Sequence, residues 1–88
     1  MKGMRIMAYD EGMRKVRVII RMSDGQEYKG DQDYHKIEAQ DKGYLLKLIC
    51  NKIKKEANKF NVLYFVDNTL GMIALPVCNI TKIDVEIL

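Results

Sequence analysis

Lys15-Val16-Arg17-Val18-Ile19-Ile20-Arg21-Met22 is the stretch on which the fold turns. Its period is two, so as a β-strand it places Val16, Val18, Ile20 and Met22 on one face and Lys15, Arg17, Ile19 and Arg21 on the other. Turn signals bracket it. Asp10-Glu11-Gly12 precedes it, with a glycine free to take positive φ, and a short extended run at residues 4–9 stands before that turn. Ser23-Asp24-Gly25 follows, after which Gln26-Glu27-Tyr28-Lys29 returns as a short third strand.

The period then changes. Residues 30–41 are polar and read as a loop, or as a helical extension beginning near Asp33. Leu46, Ile49, Cys50, Ile53 and Ala57 recur at three- and four-residue spacing, which makes residues 42–58 an amphipathic helix. Lys47, Asn51, Lys54, Lys55 and Asn58 lie on its opposite face, with Asp41 as the N-cap. Period two resumes at residues 60–66, which are apolar on both faces, as in a central strand or one covered by a partner. Asp67-Asn68-Thr69-Leu70-Gly71 turns the chain into Met72-Ile73-Ala74-Leu75, which Pro76 stops. After a tight turn at Val77-Cys78-Asn79, the last strand points Ile83, Val85 and Ile87 inward and Lys82, Asp84 and Glu86 outward. The pattern predicts an α+β fold over residues 1–88: a single small domain with a curved antiparallel sheet, in the order β-β-β-α-β-β-β, and one amphipathic helix packed on it.

Composition bounds what such a domain does. A chain of 88 residues with 48% apolar and 31% charged residues is globular, yet short enough that its own core is marginal. Self-association is the expected support, as a homodimer or other homo-oligomer, because Cys50 and Cys78 read as buried thiols rather than as a disulfide. No apolar run is long enough to span a bilayer and the start lacks the apolar core of a signal peptide, so the reading is cytoplasmic with no membrane partner. The net charge of +3 hides segregation: balances of +4 in residues 1–22, −4 in 23–41, +5 in 42–59 and −2 in 60–88.

Catalytic parts are scarce. His35 is the sole imidazole, with no nucleophile motif beside it, and reads as a solvated loop residue rather than a base. Asp31-x-Asp33 with Glu38 and Asp41 lacks the third oxygen ligand and the glycine of a calcium loop, and no paired-cysteine spacing suggests zinc. The expectation is a non-enzymatic protein without cofactor or metal.

Val16-Arg17-Val18 followed by Asp24-Gly25-Gln26-Glu27-Tyr28-Lys29-Gly30 resembles the first motif of Sm-like barrels, in which a strand enters a D-G turn and leaves through an aromatic toward a glycine. Leu70-Gly71-Met72-Ile73-Ala74-Leu75 with Asn79-Ile80-Thr81-Lys82-Ile83-Asp84-Val85 is similar to the second motif. Together these cover roughly a third of the chain. A lysine-rich helix stands where the family has the strand pair that pinches an RNA base, and Val77-Cys78 replaces the Arg-Gly step before Asn79. The resemblance therefore implies a small, curved, self-associating sheet and carries over no RNA-binding residue.

Two functional classes follow. The first is an intracellular binding module acting through protein–protein interaction, with itself or with a protein partner. Leu45 and Leu48, flanking the helical stripe, and Leu63 and Phe65, on the strand that is apolar on both faces, are its candidate interface. The alternative is a nucleic-acid-binding protein using Lys15, Arg17 and Arg21 on the strand face and Lys47, Lys54 and Lys55 on the helix face. Aromatic residues that would stack bases are dispersed over Tyr9, Tyr28, Tyr34, Tyr44 and Tyr64.

Overall fold

The computed structural model describes residues 12–88. The strand expected at residues 4–9, the start of its turn at Asp10-Glu11 and the side chain of Ala57 lie outside the described residues. Strands β1 (Met13–Met22) and β2 (Glu27–His35) are followed by a 3-10 turn (Glu38–Gln40) and helix α1 (Lys42–Phe60). Strands β3 (Val62–Asp67) and β4 (Gly71–Pro76), a second 3-10 turn (Val77–Asn79) and β5 (Ile80–Ile87) complete an α+β fold with antiparallel pairing throughout. β1 is the central strand of a three-stranded sheet in the order β2-β1-β5, and β3 and β4 form a separate two-stranded sheet.

The alternation in β1 is realised as read. Val16, Val18, Ile20 and Met22 are buried, and Val85 of β5 sits opposite Val18 in the core. The hairpin to β2 closes over Ser23-Asp24-Gly25. Gly25 takes φ +89°, its N–H donates to the Met22 carbonyl, and the Asp24 carboxylate accepts from the Gln26 N–H at 2.9 Å.

β2 departs from the expected short strand and polar loop. It runs on to His35, in continuous register with β1 from Arg21↔Glu27 to Met13↔His35. Residues 30–35 are polar on both faces, so their strand character comes from the ladder that the long β1 offers rather than from their own pattern.

α1 also differs in its rotation. Asp41 does act as the N-cap: its Oδ1 accepts from the Gly43 N–H at 3.2 Å and its carbonyl from the Leu45 N–H at 3.0 Å. The buried row, however, is Leu45, Ile49 and Ile53 at strict four-residue spacing, while Leu46 and Cys50 are half-buried. The helix lies with that row against β5 and β3. Cys78 is exposed, so neither thiol is fully buried. Past the helix, Asn61 adopts φ +59°, the left-handed residue that ends the helix and starts β3.

β2 and β3 bring the two sheets together. Gly30 of β2 lies so close to β3 that a Cβ there would collide with the Val66 carbonyl and come within 2.8 Å of the Phe65 ring. The β3–β4 turn closes the joint. Asp67 Oδ1 accepts from the Lys29 N–H at 3.0 Å, the Asn68 N–H donates to the Lys29 carbonyl at 2.8 Å, and Asn68 Oδ1 accepts from the Asp31 N–H at 2.9 Å. Side chains of the turn thus satisfy the edge of β2 where a neighbouring strand otherwise would. Asp67 is the one buried charged side chain among the described residues. Its other oxygen accepts from the Thr69 and Leu70 N–H groups at 2.9 Å each, and these donors together hold its carboxyl below the usual carboxylate range.

Candidate functional site

Register determines what the outer face of the three-stranded sheet carries. Arg17 lies between Asp31 and Glu86, Ile19 between Lys29 and Asp84, and Arg21 between Glu27 and Lys82. Arg17 engages Asp31 through two nitrogens, Nε to Oδ1 at 2.8 Å and a terminal nitrogen to Oδ2 at 3.3 Å. Its hydrogen bond, with that of Asn68, pulls the Asp31 pKa from 3.8 to about 2. Arg21 pairs with Glu27 at 2.8 Å, which lowers that carboxyl, and Lys29 approaches the same Glu27 at 3.8 Å. Lys42, in the first turn of α1, reaches Asp84 at 3.4 Å.

In the strand half of the candidate phosphate site, Arg17 and Arg21 pair with carboxylates, because the acidic segment forms β2 and docks beside the basic β1. The charge segregation seen along the chain becomes neutralisation across a hairpin. Lys15 stands opposite Asp33 and is exposed, with no ion pair to it within 4.0 Å among the described residues.

The helix half is different. Lys47, Lys54 and Lys55 are exposed, and no carboxylate among the described residues lies within 4.0 Å of any of them. Tyr44, 50% exposed, shares their side of α1.

Three of the four candidate interface residues lie in the core. Leu45 is fully buried, and Leu63 and Phe65 are buried with it in the core; only Leu48 of the four keeps partial exposure. Helix α1 covers the inner face of β3, so the inward side chains of that strand are not available for docking. What the hairpin presents is the other face. Val62, Tyr64 and Val66 pair across the ladder with Pro76, Ala74 and Met72. Tyr64 is 60%, Val66 54% and Met72 70% exposed, and Leu70 in the turn extends the patch. No residue on this face carries a charge. The signal for it was in the sequence: Val62, Tyr64 and Val66 alternate with Leu63 and Phe65, and a helix can cover only one of the two sets.

A half-open cleft of about 80 Å³ lies between α1 and strands β1, β2 and β3, lined among others by Ile20, Gln32, Tyr34, Ile49, Ile53 and Phe65. His35 is exposed at the end of β2, where its Nδ1 accepts from the Ile37 N–H at 3.4 Å. Among the described residues, no group of three His, Cys, Asp or Glu side chains converges as a metal site, and no helix is long and apolar enough to cross a membrane. Compared with protein-family models, curated proteins and solved structures, the chain matches none.

Proposed function

We propose that this protein is a non-enzymatic binding module that associates with a second copy of itself through the outer face of the β3–β4 hairpin. The uncharged face formed by Val62, Tyr64, Val66, Met72, Ala74 and Pro76 carries the reading. Charged residues are 31% of the chain, so six neighbouring positions without one form a distinct surface.

Size supports the choice of partner. With an aromatic side chain worth about 150–250 Å² when fully exposed, the observed exposures give roughly 500–600 Å² including Leu70, at the upper end of the largest patch on a typical monomer. A stable dimer buries about 800 Å² per partner, so the face supplies about two-thirds of one side. The remainder is at hand in β4, which among the described residues pairs on one side only and so offers backbone groups along its other edge. A neutral face meets its own copy about a two-fold axis with no unpaired charge to bury. The self-association that the resemblance to Sm-like barrels implies points the same way.

Light scattering on the purified protein at tens of micromolar tests this, with Tyr64→Glu and Met72→Glu as variants. Both positions are open to solvent, so the variants keep the fold, which circular dichroism checks. The expected result is twice the chain mass of 10.2 kDa for the parent protein and a monomer for each variant. A parent protein that is monomeric at that concentration, or a dimer that persists in both variants, overturns the proposal.

A further inference from the structure

Three cations on one face of the helix stand apart from the ion pairs around the sheet. Arg17, Arg21 and Lys29 on the sheet, and Lys42 at the start of α1, are each within 4.0 Å of a carboxylate, whereas Arg14, Lys15 and Lys82 have no carboxylate that close among the described residues. On the exposed face of α1, Lys47, Lys54 and Lys55 have no such partner among the described residues. At 100° per residue, Tyr44, Lys47, Asn51, Lys54 and Lys55 fall within an arc of about 100° on one side of the helix. The rise of 1.5 Å per residue sets Lys47 and Lys54 about 10 Å apart, with the half-exposed Tyr44 ring one turn before the first lysine.

We infer that this face of α1 binds single-stranded nucleic acid, with Lys47, Lys54 and Lys55 on backbone phosphates and Tyr44 stacked on a base. Charge complementarity requires an anionic partner with repeated charges along its length, and three unpaired ammonium groups on one face suit a phosphate backbone. The aromatic ring selects an unpaired base, because only a base outside a duplex offers its π-face to a side chain from the surface. A lipid surface fits less well. An interfacial helix lays its apolar face in the bilayer, and here that face, Leu45, Ile49 and Ile53, is consumed by the core. The site uses other residues than the proposed self-association: Tyr44, Lys47, Lys54 and Lys55 are on α1, and the outer hairpin face is on β3 and β4.

Fluorescence anisotropy with a labelled twelve-residue oligo(dT) between 50 and 200 mM KCl tests the inference. Three phosphate contacts on a single strand give a slope of about −2 in log K against log salt, hence roughly 20-fold weaker binding across that range. Lys54→Glu combined with Lys55→Glu is expected to weaken binding more than about tenfold and to flatten the slope toward −0.7. Tyr44→Ala is expected to weaken it about tenfold with the slope unchanged, and Tyr44→Phe to restore it. Met72→Glu, on β4 rather than on the helix that carries the lysines, is expected to leave affinity within about twofold. No binding at 50 mM KCl overturns the inference. So does equal affinity for the annealed duplex without dependence on Tyr44, or retained binding in the folded Lys54/Lys55 double variant.

Discussion

Gly30→Ala tests the joint on which the fold depends. Free of its surroundings, the substitution favours the protein by about 0.5–1 kcal/mol, because glycine loses more backbone freedom on folding than alanine. At this position the added methyl meets the Val66 carbonyl inside van der Waals contact and the Phe65 ring at 2.8 and 3.3 Å. Neither obstacle can yield easily. The carbonyl belongs to β3, held in register with β4 by the Val66↔Met72 pair, and the Phe65 ring is buried in the core. Overpacking of this kind costs about 1–3 kcal/mol, and a backbone obstacle places it at the upper end, so after the gain the net loss is about 2–2.5 kcal/mol. With a urea slope near 1 kcal/mol per molar for so small a domain, the midpoint falls by about 2 M. The chain has no tryptophan, so far-ultraviolet circular dichroism is the appropriate signal. Gly43→Ala is the control: it lies in the first turn of α1 with only the Asp41 carboxylate nearby, at 3.7 and 3.9 Å, and is expected to raise the midpoint. A Gly30→Ala midpoint equal to or above that of the parent protein would refute the close approach of β2 and β3.

Three further outcomes are expected. Leu45→Ala should cost about 3 kcal/mol and Leu48→Ala less than about 1 kcal/mol in the same urea experiment, because only Leu45 is wholly enclosed. Leu63→Lys should abolish the cooperative transition, since an unpaired ammonium in the core costs on the order of the entire stability of a small domain, about 5 kcal/mol; Tyr64→Lys on the next residue should retain it. Asp31 takes up its proton near pH 3.8 when unfolded and near pH 2 when paired with Arg17. The unfolded chain therefore binds more protons between those values, and the stabilisation, complete above about pH 4, is lost as pH falls toward 2. Asp31→Asn removes this contribution, so the gap in urea midpoint between parent and variant should be widest above pH 4 and close toward pH 2. A gap constant with pH would show that the ion pair does not act through the charge of Asp31.

The amino-acid order alone was enough for β1, β5, the turn at Asp24-Gly25, the cap at Asp41 and the existence of α1. Each rests on local rules: period two, period 3.6, a glycine at positive φ, a carboxylate two residues before an unsatisfied N–H. Long-range register lay beyond those rules. Nothing in Gly30-Asp31-Gln32-Asp33-Tyr34-His35 resembles a strand by itself; it becomes one because β1 is long enough to offer each of these six residues a partner. That same pairing makes Arg17 and Arg21 halves of ion pairs, while Lys47, Lys54 and Lys55, on the outward side of α1, have no carboxylate within 4.0 Å among the described residues. A small rotation of α1 moved Leu45 from the flank of the apolar stripe to its centre. Its packing on Leu63 and Phe65 left Tyr64, Val66 and Met72 as the face the protein turns outward. Periodicity shows that a strand has two faces, but which of them is covered is decided by where the neighbouring elements settle, and that depends on close packing across the whole core.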